Sequence, residues 1–298
     1  MTQRSFITGD HWLYYKIYTG YKTSDLILTQ IIKPLTETLI NDQVISQWFF
    51  IRYADPDHHL RVRFYIPQPE VGIGKVVQQL YPALKAFMEE DLIWKIQVDT
   101  YDREMERYGT QTIEMAETLF CQESKMIVHF LEYLEELQDE ELRWLFALRA
   151  TDALLDSFRL NIEQKKMVME NLSFSFGQEF NMAKPLKRQL DKKYRDARKK
   201  IEDFMQFTPM QQPDLQFIIA LLNQKRQENQ VIVDQILTLH QQNTLERDLV
   251  SLLNSFIHML MNRLFKSKNR LNEMVCYNFL ARYYKTVYAK QQNVLKST

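Results

Sequence analysis

Two apolar segments separated by a turn sequence lie between Gln47 and Pro67 (QWFFIRYADPDHHLRVRFYIP). Val, Ile, Phe, Tyr and Trp fill both segments, and these residue types favour β-strands. The segment between them, residues 54–57, contains the Asp and Pro residues that are typical of tight turns. The stretch predicts a β-hairpin, and the rest of the chain must supply the layers that cover its apolar surface.

The second strand of this hairpin carries its charges on one face, because side chains alternate between the two faces of a strand. The polar face carries His59, Arg61, Arg63 and Tyr65, and the apolar face carries Leu60, Val62, Phe64 and Ile66. Neighbouring guanidinium groups with permanent charge and forked donors suit a bound anion. An exposed strand face kept soluble by its charge explains the same pattern. The hairpin alone does not separate these two interpretations.

Composition and charge restrict the class of protein. The chain has 298 residues, of which 45% are hydrophobic and 26% charged, as is typical of a soluble globular protein. Lys plus Arg and Asp plus Glu number 38 each, so no overall charge attracts nucleic acid or an anionic membrane. The sequence contains neither a signal-peptide core nor an apolar run long enough to cross a membrane. We therefore expect a cytoplasmic protein without direct contacts to nucleic acid or membrane.

Sequence motifs for metals and nucleotides are missing. Cys121 and Cys276 are far apart and have neither zinc-ligand spacing nor a disulfide framework around them. Gly72 and Gly74 do not begin a dinucleotide-binding loop, because the third glycine would fall at Val77. We expect no metal and no cofactor.

The elements predicted in the first third follow the order strand, helix, strand, strand, helix, strand. They are a strand at residues 12–18, a helix with Ser24 as N-cap, the hairpin, a loop at 67–74, a helix over 76–88 and a strand at 93–101. This is the order of the ferredoxin-like, split βαβ unit, an antiparallel sheet with both helices on one face. From about residue 112 onward the periodicity is helical. The predicted fold is α+β in a single domain of residues 1–298, with a sheet subdomain at 1–110 and a helical subdomain at 111–298.

The last predicted strand adds a third arginine to the polar face. Its alternation places Trp94, Ile96, Val98 and Thr100 on one face, and Gln97, Asp99, Tyr101 and, if the strand continues, Arg103 on the other. With the apolar set against the helices, Arg103 joins the two arginines of the hairpin on the open face. Three such cations repel one another unless an anion, a carboxylate or a partner domain lies among them. Pairing of Arg103 with Asp99, Asp102 or Glu104 is the alternative.

A histidine lies on the polar side of the helix predicted at residues 245–265 (LERDLVSLLNSFIHMLMNRLF). The apolar stripe of this helix consists of Leu249, Leu253, Phe256, Leu260 and Leu264. His258 falls roughly opposite the stripe, near Asn254, Ser255 and Asn262. His258 is either simply exposed or the group in this chain that is best placed to titrate near neutral pH.

Three blocks of the chain together resemble a known family. They are WFFIRYADPDHHLRVRF from Trp48, VDTYDREMERYGT from Val98 and FIHMLMNRLF from Phe256. In type and order they are similar to the C-terminal glutamate-elimination domain of class I lanthipeptide dehydratases, which also occurs as a free-standing subunit in thiopeptide-type bacteriocin pathways. The resemblance covers nearly the whole chain. We expect the much larger glutamylation domain of two-domain relatives to be a separate subunit here, because the chain has no room for it.

The resemblance implies a β-elimination from a ribosomally made precursor peptide. An α-proton is removed from a glutamylated Ser or Thr, and glutamate leaves to give dehydroalanine or dehydrobutyrine. The family's catalytic residues match Arg61, Arg63, Arg103 and His258. The arginines are expected to bind the glutamyl group and the developing oxyanion, and the histidine to transfer protons. Further residues expected to bind substrate are Arg52, His59 and Tyr101.

The same resemblance implies partners. The precursor peptide and a separate glutamylation subunit are expected, with glutamyl-tRNA as a substrate of that subunit. A homodimer is compatible with the sequence.

Two other functions stay open. Thiopeptide pathways also use a relative of this domain as a pyridine synthase, which joins two dehydroalanines by a formal 4+2 cycloaddition and releases the leader peptide. Such relatives tend to depart from the arginine pattern, so the retained arginines favour elimination. The other function is that of a non-catalytic subunit, which docks a peptide or the glutamylation subunit on its arginine face. His258 on a polar helix face argues against it.

Overall fold

The computed structural model describes residues 2–297, with side chains described through residue 293. The strands are β1 (Ser5–Phe6), β2 (Trp12–Thr19), β3 (Gln47–Ala54), β4 (His58–Tyr65), β5 (Ile93–Asp99) and β6 (Tyr101–Asp102). The helices are α1 (Thr23–Leu26), α2 (Lys33–Asn41), α3 (Pro69–Glu89), α4 (Met105–Tyr108), α5 (Ile113–Leu137), α6 (Glu141–Ser157), α7 (Ile162–Glu179), α8 (Lys184–Gln206), α9 (Gln216–Gln241), α10 (Leu249–Leu264) and α11 (Asn269–Ser297). A π-helical segment (Ile27–Ile32) joins α1 to α2, and a 3-10 turn (Pro213–Leu215) precedes α9. Within the described residues no helix combines the length and the apolar character that a membrane span requires.

The main sheet has four antiparallel strands in the order β3, β4, β2, β5. The predicted hairpin is confirmed as β3 and β4, and β2 continues the sheet beyond β4. A separate two-stranded sheet pairs β1 with β6. The prediction of antiparallel sheet in the first third followed by helices is therefore confirmed.

One face of the main sheet forms the core of the first third. Leu60, Val62 and Phe64 of β4 are fully buried on this face, as their alternation predicts. α3 packs there as well, because Leu80 of α3 lines the same cleft as Tyr15 of β2.

The opposite face of the sheet is covered at one end by the helical part. Phe49 of β3 packs against Phe120 of α5 with ring centroids 5.6 Å apart, and Phe120 packs against Phe256 of α10 at 6.2 Å. Tyr53, near the other end of β3, is 39% exposed. This face was predicted to be open; it is covered at the Phe49 end and is open at Tyr53 and along β5, where Lys95, Gln97 and Asp99 are exposed.

Two predicted helix starts are wrong. Ser24 is not the N-cap of its helix, which begins at Thr23; its hydroxyl donates to the Tyr21 carbonyl. The second helix begins at Pro69, within the predicted loop, because Pro is well suited to the first turn of a helix. Gly72 belongs to that turn, where a Cβ atom would lie only 2.4 Å from Ile66.

Side chains from two helices seal the β3 edge of the sheet. The Phe50 N–H donates to Ser124 of α5 at 3.2 Å, and Arg263 of α10 donates to the Phe50 carbonyl at 2.8 Å. Asn262 of α10 accepts from the Arg52 N–H at 2.9 Å and donates to the Arg52 carbonyl at 2.8 Å. An edge strand otherwise leaves such groups unpaired. These contacts fix α10 against β3.

Candidate active site

Arg61 and Arg63 lie on the same face of β4, which is an interior strand of the sheet. Arg63 is directly opposite Phe49 of β3 and Tyr14 of β2. Arg61 is opposite Lys16 of β2. Residues directly opposite each other in an antiparallel pair have neighbouring side chains on one face. The two arginines therefore stand in a surface of aromatic and basic side chains.

The Arg63 guanidinium is enclosed by aromatic rings. Its Cζ lies 4.5 Å from the centroid of Tyr14, 5.1 Å from that of Phe49 and 4.6 Å from that of Tyr101. Arg63 is 7% exposed, and its Nε is buried without a hydrogen-bond partner. Over residues 2–293 no carboxylate lies within ion-pair distance of it. Burial lowers the pKa of this guanidinium, and a bound anion would supply the charge that its surroundings lack.

Arg61 is held in place by a fully buried histidine. Its Nε donates to His59 Nε2 at 3.1 Å, and its Cζ lies 3.5 Å from the centroid of the Tyr53 ring. His59 Nδ1 is 2.8 Å from the Asp57 carbonyl and donates to it. Burial lowers the pKa of His59, which favours the neutral imidazole that accepts from Arg61. His59 thus positions Arg61, whose Nη donors have no acceptor in the described part of the chain.

Arg103 reaches this region by a different route from the predicted one. The chain leaves β5 at Thr100, and the Arg103 N–H donates to the Arg4 carbonyl at 2.9 Å beside the β1–β6 pair. Its side chain is buried and binds Glu117 through two hydrogen bonds of 2.8 and 2.7 Å. A third bond joins it to Glu114 at 3.1 Å. The alternative pairing with Asp99, Asp102 or Glu104 is not found, because α5 supplies the carboxylates.

Tyr101 connects Arg63 with the Arg103 pair. Its hydroxyl donates to Glu117 at 2.8 Å while its ring flanks Arg63. Burial, reinforced by the Glu117 charge, holds the pKa of Tyr101 well above its usual value, so the phenol stays neutral. Tyr101 therefore forms a wall of the Arg63 enclosure.

Arg52 lies on the opposite face of the sheet from Arg61, against the prediction that it binds substrate. It is buried, pairs with Asp25 at 2.6 Å and donates to the Arg263 carbonyl at 2.8 Å. Arg143 binds the other oxygen of Asp25 at 2.8 Å and donates to the Leu264 carbonyl at 2.9 Å. Cations at the last carbonyls of a helix stabilise its C-terminus. Arg52 thus supports the end of α10 and contributes no group to the Arg61 face.

His258 of α10 is held by a buried carboxylate. Its Nδ1 lies 2.9 Å from Glu273 of α11, and the His258 side chain is 28% exposed, whereas Glu273 is fully buried. The same Glu273 oxygen accepts from the Tyr277 hydroxyl at 3.0 Å. Because a carboxylate only accepts, Nδ1 donates in this bond, and Nε2 is the ring nitrogen that is not bound to Glu273. Glu273 and Tyr277 were not predicted from the sequence, although their spacing places them on one side of a helix.

α10 runs from the Arg63 side of the sheet to the β3 edge. In the middle of the helix Phe256 stacks on Tyr108, with centroids 5.9 Å apart, and near its C-terminal end Asn262 binds Arg52. His258 lies between these anchors, one helical turn before Asn262. Within residues 2–293 no hydrogen bond or ion pair joins His258 to Arg61, Arg63 or Arg103.

A polar cavity of about 710 Å³ lies beside this face of α10. Ser251, Asn254 and Ser255 of α10 line it on one side, and Glu104 and Arg107 line it on the other. The three α10 residues lie on the same helix face as His258, which itself does not line the cavity.

The chain belongs to the family of the lantibiotic biosynthesis dehydratase C-terminal domain. The model of this family matches residues 12–284. It is 30% identical to the subtilin biosynthesis protein SpaB of Bacillus subtilis over 171 residues, which are 55% of this chain and 16% of SpaB. It is 26% identical to the nisin biosynthesis protein NisB of Lactococcus lactis subsp. lactis over 139 residues, which are 46% of this chain and 13% of NisB. The matches thus span about one sixth or less of these two proteins.

Solved structures share the fold. The tRNA-dependent lantibiotic dehydratase MibB of Microbispora sp. 107891 matches with a TM-score of 0.70 at 21% identity, over 93% of this chain and 28% of MibB. TsrL matches with a TM-score of 0.66 at 13% identity, over 96% of both chains. The pyridine synthase TbtD from thiomuracin biosynthesis matches with a TM-score of 0.63 at 12% identity, over 94% of this chain and 99% of TbtD. At these identities the likeness establishes a common fold.

Proposed function

We propose that this chain eliminates glutamate from O-glutamylated Ser or Thr residues of a ribosomally synthesised precursor peptide. The contrast among its arginines carries the proposal. Arg52 and Arg103 each form a buried ion pair, whereas Arg61 and Arg63 have no carboxylate partner among residues 2–293. Two unpaired guanidinium groups fit a substrate that brings negative charge with it. Membership of the dehydratase C-terminal family supports this reaction class.

In the proposed reaction His258 Nε2 takes the α-proton of the glutamylated residue. The electron pair of that C–H bond becomes the Cα=Cβ double bond, the Cβ–O bond breaks, and glutamate leaves as a carboxylate. Negative charge develops on the peptide carbonyl oxygen and on the leaving carboxylate, where Arg61 and Arg63 would stabilise it. The step is redox-neutral and needs no second reactant.

The remaining predicted site residues receive supporting roles in this proposal. His59 orients Arg61, and Tyr101 encloses Arg63. Arg103 and Tyr101 both donate to Glu117, so Arg103 positions Tyr101 and does not itself contact the substrate in this proposal. In this proposal His59, Tyr101 and Arg103 surround the two substrate-binding arginines.

Two partners follow from the proposed reaction. A glutamylating subunit must supply the ester, and the precursor peptide must reach both proteins, which we place in the cytoplasm. We also propose that residues 12–99 form a ferredoxin-like unit. The sheet order β3, β4, β2, β5 and the position of α3 on the Leu60 face support that arrangement.

Mass spectrometry of a peptide with one O-glutamyl serine tests the proposal. We expect the chain to convert it to dehydroalanine and free glutamate, and expect His258→Ala to leave the ester intact. The assay is repeated with a leader-bearing precursor and the glutamylating partner present. An intact ester under both conditions, from folded protein, would contradict elimination.

A pyridine synthase is the second candidate, because TbtD has this fold and nearly the same extent. A peptide that already contains dehydroalanines distinguishes the two functions. Appearance of a pyridine-containing macrocycle, together with an unprocessed glutamyl ester, would assign the chain to cycloaddition.

A further inference from the structure

Lys16 of β2 extends the basic face beyond the two unpaired arginines. It lies directly opposite Arg61 in the pairing of β2 with β4. Side chains at such positions share a face, with Cβ atoms about 4.5–5.5 Å apart. The Lys16 Nζ lies 5.7 Å from the centroid of the Tyr14 ring, and the Arg63 guanidinium lies 4.5 Å from the same ring. Lys16 is therefore a third cation of this face, one strand away from the arginines.

The ion pair that Lys16 forms can be exchanged at little cost. Its amine donates to Asp99 of β5, and the Lys16 side chain is 19% exposed whereas that of Asp99 is 45% exposed. This hydrogen bond lowers the pKa of Asp99 and raises the pKa of Lys16, so both groups are charged near neutral pH. An ion pair with a half-exposed member contributes little to stability. If Lys16 turns to another carboxylate, Asp99 keeps its contact with water and with the Thr100 N–H, which donates to it at 2.8 Å.

The substrate of the proposed reaction brings a carboxylate that Arg61 and Arg63 do not account for. An aminoacyl-tRNA carries its amino acid through the α-carboxyl group, so an ester made from glutamyl-tRNA leaves the side-chain carboxylate free. In the proposed reaction the two arginines act on the peptide carbonyl oxygen and on the departing α-carboxylate. A side-chain carboxylate that loses water on binding requires a cation of its own.

The spacing of the strands matches the length of the glutamyl group. Neighbouring strands of a sheet lie about 4.8 Å apart. Four C–C bonds separate the two carboxyl carbons of glutamate, which places them about 5 Å apart in the extended conformation. A glutamyl group with its α-carboxyl at Arg61 on β4 can therefore place its side-chain carboxylate over β2, where Lys16 lies.

We propose that Lys16 exchanges Asp99 for the side-chain carboxylate of the glutamyl group and thereby selects glutamyl esters over esters of uncharged amino acids. The inference rests on the proposed elimination and adds a specificity-determining residue to it. In the free protein Asp99 holds the Lys16 amine in position. A forked arginine is not required here, because a single point charge suffices for a carboxylate that does not react.

Two esters that differ in one charge test this role. We expect the unmodified chain to process a peptide with O-glutamyl serine with a kcat/KM about 100-fold above that for O-glutaminyl serine, whose side chain has nearly the same shape and no charge. Lys16→Met should remove most of this preference by lowering kcat/KM for the glutamyl ester. A merely structural role of Lys16 would instead lower the rates for both esters alike. Mass spectrometry of the dehydrated products measures both rates.

Lys95→Met is the matched control. Lys95 lies on the same face, on β5, with its Nζ 4.9 Å from the centroid of the Tyr18 ring. Its replacement removes the same charge from this face and leaves the pair of Lys16 with Asp99 in place. The preference for the glutamyl ester should be unchanged.

Titration calorimetry with free L-glutamate and L-glutamine separates this inference from the proposed function, because binding of the free amino acids requires no reaction. The unmodified chain should bind L-glutamate more tightly than L-glutamine. Lys16→Met should bind the two alike, and Lys95→Met should bind as the unmodified chain does.

The outcomes for the two proposals are distinct. Turnover of the glutamyl ester with an unchanged preference in Lys16→Met, or with an equal loss of preference in Lys95→Met, would overturn the inference and leave the elimination standing. If the unmodified chain processes neither ester, the proposed function fails and the calorimetry decides on Lys16 by itself. A chain that does not bind L-glutamate, or binds it equally well after Lys16→Met, contradicts the role of Lys16.

Discussion

Arg63 and Arg103 carry the same charge and are buried to a similar degree, but their surroundings differ. Arg103 meets two carboxylates, whereas Arg63 meets three aromatic rings. An ion pair satisfies a buried charge within the protein. A cation among rings is only partly satisfied and keeps its hydrogen-bond donors for a ligand. The two arginines therefore differ in their surroundings: Arg103 has carboxylate partners within the protein, and Arg63 has none among residues 2–293.

Replacing each of these arginines by methionine separates the two roles. Arg63→Met should change the free energy of unfolding by no more than about 1 kcal/mol, because the loss of ring contacts and the removal of an unpaired buried charge oppose each other. The same variant should lower the elimination rate by on the order of 10²-fold or more. Arg103→Met should destabilise the fold by about 3–5 kcal/mol, because Glu117 is left buried and unpaired. Urea unfolding and the elimination assay measure both quantities.

The opposite ranking would contradict this assignment. If Arg63→Met unfolded the protein while Arg103→Met retained stability and lost only activity, Arg103 would be the residue that binds the anion.

Glu273 decides which nitrogen of His258 faces outward. We expect Glu273→Gln to fold but to lose activity by on the order of 10²-fold, because the glutamine amide can donate to Nδ1 and thereby place the hydrogen on Nε2. Tyr277→Phe is the matched control, since it removes the second hydrogen bond to Glu273 and leaves the His258 contact in place. It should retain most activity. The imidazole nitrogen NMR signals of both variants report the tautomer, and the elimination assay reports the rate. An active Glu273→Gln enzyme with an unchanged tautomer would exclude the positioning role.

At the scale of elements, local pattern predicts the strands and not their connections. Alternation on β4 places Leu60 in the core and Arg61 on the opposite face, as found. The same rule applied to β3 would have placed Arg52 beside Phe50 on the core face, so the signal for its structural role was present in the sequence. The end of β5 at Thr100 had no such signal, because it depends on β1, which is distant in sequence.

The hydrogen-bond partners of the site residues could not be predicted from the local sequence pattern either. Glu117 and Glu273 lie on α5 and α11, and their spacing fits ordinary helix surfaces. Only the packing of these helices brings one carboxylate to Arg103 and the other to His258. Periodicity shows which side of a helix is apolar, but not which neighbour its polar residues meet.

Replacing Asn262 tests whether α10 docks on the sheet through the backbone of the β3 edge. We expect Asn262→Ala to destabilise the fold by about 2 kcal/mol, because it leaves the N–H and C=O groups of Arg52 without partners. Asn254→Ala is the control on the same helix face, since its Oδ1 has no partner in residues 2–293 and its loss should cost little. Urea unfolding measures the difference, and amide exchange should show faster exchange at Arg52 in Asn262→Ala only. Equal effects of the two changes would argue against docking through the β3 edge.

At the scale of the whole molecule, the sheet and the helical part are joined by buried polar contacts. Arg263 is fully buried and links the Phe50 carbonyl to Glu123 of α5 at 2.7 Å. Lys225 of α9 binds the other oxygen of Glu123 at 2.9 Å. Such contacts need defined geometry, unlike apolar packing, so they fix the position of α10 over the sheet.

The seal of the β3 edge has a consequence for how the protein is made. During synthesis the strands through β5 leave the ribosome well before α10, which supplies both Asn262 and His258. Until α10 is complete, the Phe50 carbonyl and the backbone groups of Arg52 on this edge lack the partners that α10 supplies, and unpaired edges pair readily with other chains. Asn262, which completes the β3 edge, and His258, the proposed base, lie on the same helix. The β3 edge is therefore covered, and the proposed base reaches its place beside the sheet, in one docking event.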